Sequence, residues 1–89
     1  MQEACRQEVL KRLSFIEGHL NGVHKMVQED RYCFDIMRHT FAIRKALEKL
    51  EAIIVEGHLQ TCVPMGMQGA SAEEVIQELV DLYTIAGNR

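Results

Sequence analysis

From Cys33 to Glu56 the chain runs 24 residues without a proline or a glycine. Within and around that stretch Ile36, Thr40, Ile43, Leu47, Leu50 and Ile54 recur in alternating steps of four and three. This rhythm is the seam of an amphipathic helix that packs like a coiled coil. It predicts a helix over about residues 31–62, with Asp30 as its N-cap and Pro64, the single proline, as its stop. Helices longer than about 25 residues are uncommon in small globular domains, so the element points to a bundle.

The same rhythm occurs earlier. Val9, Leu13, Ile16, Leu20, Val23 and Val27 form the apolar seam of a helix from about Glu3 to Glu29. Gly18 and Gly22 lie inside it and cost up to about 1 kcal/mol each in helix propensity, so they read as close backbone packing or a bend. After Pro64, Val63 is pushed out of the helical region and residues 65–69 read as a flexible connection. Ser71 followed by Glu74 is a capping box that opens a short third helix. Val75, Ile76, Leu79, Leu82 and Tyr83 form its apolar side, and Gly87 ends it. No strand alternation, internal repeat or second domain competes, so residues 1–89 read as one all-α domain of three helices. A core of this size is marginal alone, and a partner subunit is expected.

Composition narrows the function. Three cysteines are an odd number, and neither a signal-peptide core nor an apolar run of transmembrane length is present. A cytoplasmic protein with reduced thiols and no membrane partner is therefore expected. A net charge of −3 does not advertise nucleic-acid binding unless the basic residues cluster. No nucleophile elbow, Gly-rich phosphate loop or acidic cluster supports an enzyme.

Metal chemistry has more support. His58 and Cys62 are an i, i+4 pair, which on a helix stacks both donors on one face. Cys33 lies 25 residues before His58, which leaves it only ~20° off the same stripe but ~37 Å away along a straight helix. Metal bonds reach ~2.0–2.3 Å, so one chain cannot close the site. Two such helices packed antiparallel about Ala46 and Leu47 would bring Cys33 of one chain to His58 and Cys62 of the other, giving two identical sites. Two thiolates and an imidazole form a soft set that suits Cu(I) or Zn(II) and excludes Mg(II) and Ca(II). Three donors fit trigonal Cu(I), whereas zinc or nickel needs a fourth from water, Cys5 or the N-terminus. Spacing alone leaves the alternative open, in which the cysteines are small hydrophobes and His58 meets the helix dipole. Cys5 reads as a small apolar residue or a stray thiol, Met65 and Met67 as apolar filler or soft ligands, and His19 and His24 as surface residues without a ligand partner.

Several segments then resemble a known family. Lys11-Arg-Leu, Ile16-Glu-Gly18, Gly22, Met26-Val27, Glu29-Asp-Arg-Tyr-Cys33 and Glu56-Gly-His-Leu-Gln-Thr-Cys-Val63 together are similar to the CsoR/RcnR family of metal-sensing transcriptional repressors, over roughly residues 6–83. Cys33, His58 and Cys62 match its copper-sensor ligand triad in type and spacing. The resemblance implies a homodimer built as an antiparallel four-helix bundle, pairing into a homotetramer that holds double-stranded operator DNA when metal-free and releases it on Cu(I) binding. It implies roles around the metal for Tyr32 and Glu78, and it points to Arg12 and Lys49 for DNA. Lys11 adds to these, and Arg38, Lys45 and Lys49 share one stripe of helix two, roughly opposite the ligand face. Where relatives often carry Arg, this chain has Ser14 and Asn21, which leaves a non-DNA role such as a cytosolic Cu(I) buffer open. Within the family, formaldehyde sensors lack a Cys at the position of Cys62, nickel and cobalt sensors recruit a His near the N-terminus, and none precedes His19 here. Persulfide sensors use the two cysteines and typically lack the His, so persulfide- or nickel- or zinc-responsive repression is the nearest rival to copper.

Overall fold

The chain reverses direction at Asp30. The computed structural model describes residues 1–69 and 72–87, with the side chains of Cys62, Val63, Ala86 and Gly87 outside the described set. Helix α1 (Glu3–Gln28) and helix α2 (Cys33–Gln60) form an antiparallel hairpin, followed by α3 (Cys62–Met67) and α4 (Ala72–Gly87). No strand occurs among the described residues, and the all-α fold with two long helices and a shorter terminal one is as expected.

Asp30 does not cap α2. It has φ 53°, the left-handed conformation that terminates a helix and that Asp tolerates better than most residues. Its N–H donates to the Val27 carbonyl at 3.1 Å, and the Arg31 N–H donates to the Met26 carbonyl at 2.9 Å. This paired arrangement satisfies the last carbonyls of α1 and leaves Tyr32 as the N-cap of α2, without a side-chain bond.

The hairpin core is Val9 and Ile16 of α1 against Ile43 and Leu50 of α2, each pair spaced by seven residues. Cys5, Leu13, Val23, Ala46, Ile53 and Ile54 flank it. Toward the end of α1 the buried residue is Met26 rather than Val27, which is 56% exposed. Val27 lies 18 residues, five full turns, beyond Val9, so Met26 stands ~100° around the helix from the seam and its burial is a contact beside the turn rather than part of the four-three rhythm. Leu20, Met37 and Leu47 are likewise left exposed. Helix α1 runs through Gly18 and Gly22 without interruption, and a methyl group at either would meet nothing within 4 Å, so neither glycine serves close packing within this protomer.

Helix α2 ends at Gln60 rather than at residue 62, and residues 62–67 are helical rather than a loose connection. Pro64 is the third residue of α3, inside the first turn, where its missing N–H would have had no helical partner. The capping box expected at Ser71 lies outside the described residues. In α4, Val75 is buried, whereas Ile76, Val80, Tyr83 and Ile85 are exposed.

The chain measures 55 × 29 × 15 Å, with a radius of gyration of 17.2 Å, against ~12 Å for a compact domain of this length. It is a slab about one helix thick. No side chain is fully buried among those described, so the apolar flank of the hairpin and the outer face of α4 are covered by nothing in this protomer.

Candidate metal-sensing centre

Cys33 and His58 occupy the two ends of one unbroken helix. Cys33 is the first residue of α2 and has an exposed, free thiol. His58 lies in its last turn, with the side chain 29% exposed. The 25 residues between them set ~37 Å of separation. Among the described residues, which leave out the Cys62 side chain, no group of three His, Cys, Asp or Glu side chains converges.

At the His58 end the backbone changes direction. Thr61 has φ −120° and ψ −63°, and both its N–H (3.1 Å) and its hydroxyl (2.8 Å) donate to the Gly57 carbonyl. Cys62 follows as the first residue of α3. His58 and Cys62 are therefore not on one uninterrupted helix, although a single residue separates their helices. The Cys62 side chain is outside the described set.

Glu78 of α4 approaches His58, with its Oε2 3.8 Å from Nε2. That is an ion-pair distance if the imidazole is protonated, and too long for a hydrogen bond. Tyr32 stands at the other end of α2, 72% exposed beside Cys33. Within one protomer the two residues expected around the metal are thus separated with the ligands they accompany. Glu78 goes with His58, and Tyr32 with Cys33.

His58 also opens into a cavity of about 250 Å³ lined by Met1, Ile54, Val55 and Leu82. Leu82 follows Glu78 by one turn of α4, so the i, i+4 pair aims a carboxylate and an apolar side chain at the same end of α2. These donors, a free thiol and a partly shielded imidazole beside apolar walls, suit a soft ion better than a hydrated hard one.

The opposite flank of the hairpin is basic. Arg38, Lys45 and Lys49 lie ~140° around α2 from the Cys33 and His58 stripe. Arg38 pairs with Asp35 at 3.9 Å and stacks over Phe34 at 5.4 Å, and Lys45 lies 3.8 Å from Glu48 and 5.4 Å from the Phe41 ring. Arg12 of α1 is bound to Glu8 at 2.9 Å. Lys11 and Lys49 are exposed. A groove lined by Phe15 and His19 of α1 and His39 of α2 marks this flank, and Arg12 is one turn before Phe15 on the same side of α1.

Residues 5–84 match the profile of the metal-sensitive transcriptional repressor family. The chain belongs to that family. Among curated relatives of this repressor family, the copper-sensing transcriptional repressor CsoR of Mycobacterium tuberculosis strain H37Rv is 32% identical over 78 residues, 88% of this chain and 66% of that protein. The chain thus spans just under two thirds of the first relatives it matches. Among solved structures, CsoR with Cu(I) from Geobacillus thermodenitrificans NG80-2 superposes with a TM-score of 0.87 at 33% identity, covering 98% of this chain and 91% of that one. The nickel-responsive regulator InrS superposes with a TM-score of 0.69 at 35% identity over 84% of each chain.

The Cys5–Gly57 contact escaped the sequence. A methyl group on Gly57 would lie 2.8 Å from Cys5 Sγ, so the thiol rests against bare backbone beside His58. The only signal in the sequence was a glycine on the α1-facing side of a long helix, and that side became known only with the hairpin.

Proposed function

We propose that the chain is a Cu(I)-responsive transcriptional repressor that binds operator DNA without metal and releases it when Cu(I) occupies sites shared between two subunits. The observation that carries this reading is the unbroken α2, with Cys33 and His58 at opposite ends. Antiparallel pairing of two α2 helices supplies Cys33 of the partner subunit to His58 and Cys62. The exposed apolar residues Leu20, Met37 and Leu47 give such a pair something to bury. The homodimer would in turn pair into a homotetramer.

In this arrangement Cys33 and Cys62 act as thiolates and His58 as a neutral imidazole. Bound Cu(I) would supply a soft, low-coordinate centre that draws these three donors together. With Glu78 facing Nε2, Nδ1 is the His58 atom left for the metal. Closing the present 3.8 Å gap would let Glu78 accept from Nε2–H, hold the ring orientation and tie metal occupancy to α4. Tyr32 performs the corresponding service from the subunit that donates Cys33.

Arg12, Lys11, Arg38, Lys45 and Lys49 are the proposed contacts to DNA phosphates. Without an element shaped to enter a groove, affinity rests on charge and is steeply salt-dependent. Arg12, Arg38 and Lys45 each have a carboxylate neighbour on their own helix. Such exposed pairs are weak enough to exchange for a phosphate.

A second reading is favoured by the likeness to the nickel-responsive regulator, in which further nitrogen or oxygen donors complete a four-coordinate site. One experiment separates the readings: promoter DNA carrying the bound protein is challenged anaerobically with Cu(I), Ni(II), Zn(II) or an organic persulfide. Release by Cu(I) at the lowest free concentration supports the proposal. Release only by Ni(II) or persulfide transfers the role to that inducer, and absence of DNA binding leaves a Cu(I) buffer.

A further inference from the structure

Gly57 joins the His58 segment to α1. It precedes His58 in the chain, and its carbonyl accepts both bonds from Thr61, which precedes Cys62. On its other side it meets α1. A Cβ built on Gly57 would fall 2.8 Å from Cys5 Sγ and 3.7 Å from Cys5 Cβ, and the thiol lies 3.9 Å from the carbonyl of Ile53, one turn earlier in α2. Met1 lines the His58 cavity, so the start of α1 meets the ligand end of α2 at two points.

We infer that Cys5 is a positioning residue: its thiol, seated on Gly57, carries the state of the His58–Cys62 segment into α1. This rests on the proposed metal-responsive function. Drawing His58 and Cys62 toward a common ion moves the Gly57–His58 peptide, directly through the chain and again through the two bonds from Thr61 to its carbonyl. A close-packed contact has no slack to absorb that movement. Cys5 must follow, and with it the helix that bears Lys11 and Arg12, since Arg12 lies two turns further along α1 at ~10 Å. The cysteine serves here through its size, without binding metal.

The test compares DNA affinity with and without Cu(I) for the full chain and for Cys5→Ala, Gly57→Ala and the double variant. Cu(I) affinity by chelator competition and the melting temperature are measured beside it. Cys5→Ala opens a gap over Gly57 and is expected to keep metal-free DNA affinity and Cu(I) affinity while lowering the Cu(I)-induced loss of DNA affinity by about tenfold, within the usual span of coupling factors. Gly57→Ala forces the thiol aside and is expected to disturb coupling or folding. In the double variant two methyl groups meet at 3.7 Å, an ordinary contact, so coupling should return toward wild type. A merely structural contact would move stability without moving the coupling ratio. Unchanged coupling in Cys5→Ala overturns the inference, as does a folded double variant that does not recover. If the wild type itself releases no DNA with Cu(I), the proposed function falls and this inference with it. If the wild type responds and Cys5→Ala responds equally, only this inference falls.

Discussion

Complementation between two defective subunits follows from the length of α2. Its run from Cys33 to Gln60 is continuous, and 25 residues at ~1.5 Å each hold Cys33 ~37 Å from His58, more than ten times the reach of a metal–sulfur bond. Homodimers of Cys33→Ala lack one thiolate at both sites, and so do homodimers of Cys62→Ala. In a mixed dimer one site regains Cys33, His58 and Cys62 together, and the other loses both thiolates. Purified heterodimer should therefore bind tight Cu(I) at about half the wild-type stoichiometry, and an equimolar, fully exchanged mixture at about one quarter, as two-fold symmetry and random pairing require. Anaerobic Cu(I) titration against a competing chelator measures both values. Tight binding by Cys33→Ala alone, or its absence from the purified heterodimer, would refute the intersubunit site.

Other expectations are narrower. Lys49→Ala should weaken DNA binding for all sequences and flatten the log affinity against log salt line by ~0.9 for each phosphate it no longer neutralises; an unchanged slope in filter binding or anisotropy removes Lys49 from the interface. Glu78→Gln and Tyr32→Phe should retain Cu(I) affinity yet release DNA poorly, because both are expected to touch the metal only through its ligands. Undiminished release in the pair would exclude them from the mechanism. Asp30→Gly places a residue without a Cβ at φ 53°, relieving a left-handed strain of ~1–2 kcal/mol while adding ~0.4–1 kcal/mol of unfolded-chain entropy. A small rise in the thermal midpoint is expected, and a clear fall would mean that the Asp30 side chain does more than tolerate the turn.

Helix existence was legible because the four-three rhythm of Val9, Ile16, Ile43 and Leu50 is read directly by packing. Boundaries were not, because they depend on local backbone choices with near-equal alternatives. Asp30 can begin a helix or end one, and the bonds to Met26 and Val27 decided it. Pro64 stops a helix only when it falls beyond the first turn, and the break at Thr61 put it inside. At the site, the spacing of Cys33 and His58 was sufficient to foresee that one helix carries them at its opposite ends. The approach of Glu78 to Nε2 and the seat of Cys5 on Gly57 depend on how separate helices meet, which no single periodicity encodes.

A protomer only 15 Å through in its thinnest direction has almost no interior of its own, and on the proposed arrangement much of its folding free energy comes from association. Its melting temperature should then rise with protein concentration by mass action. On the proposed arrangement the same dependence reaches the metal: a dilute subunit presents thiol and imidazole to different surroundings, and copper affinity becomes a property of the population. Responsiveness in the cell would be set jointly by the chemistry of three side chains and by how many copies of the chain are made.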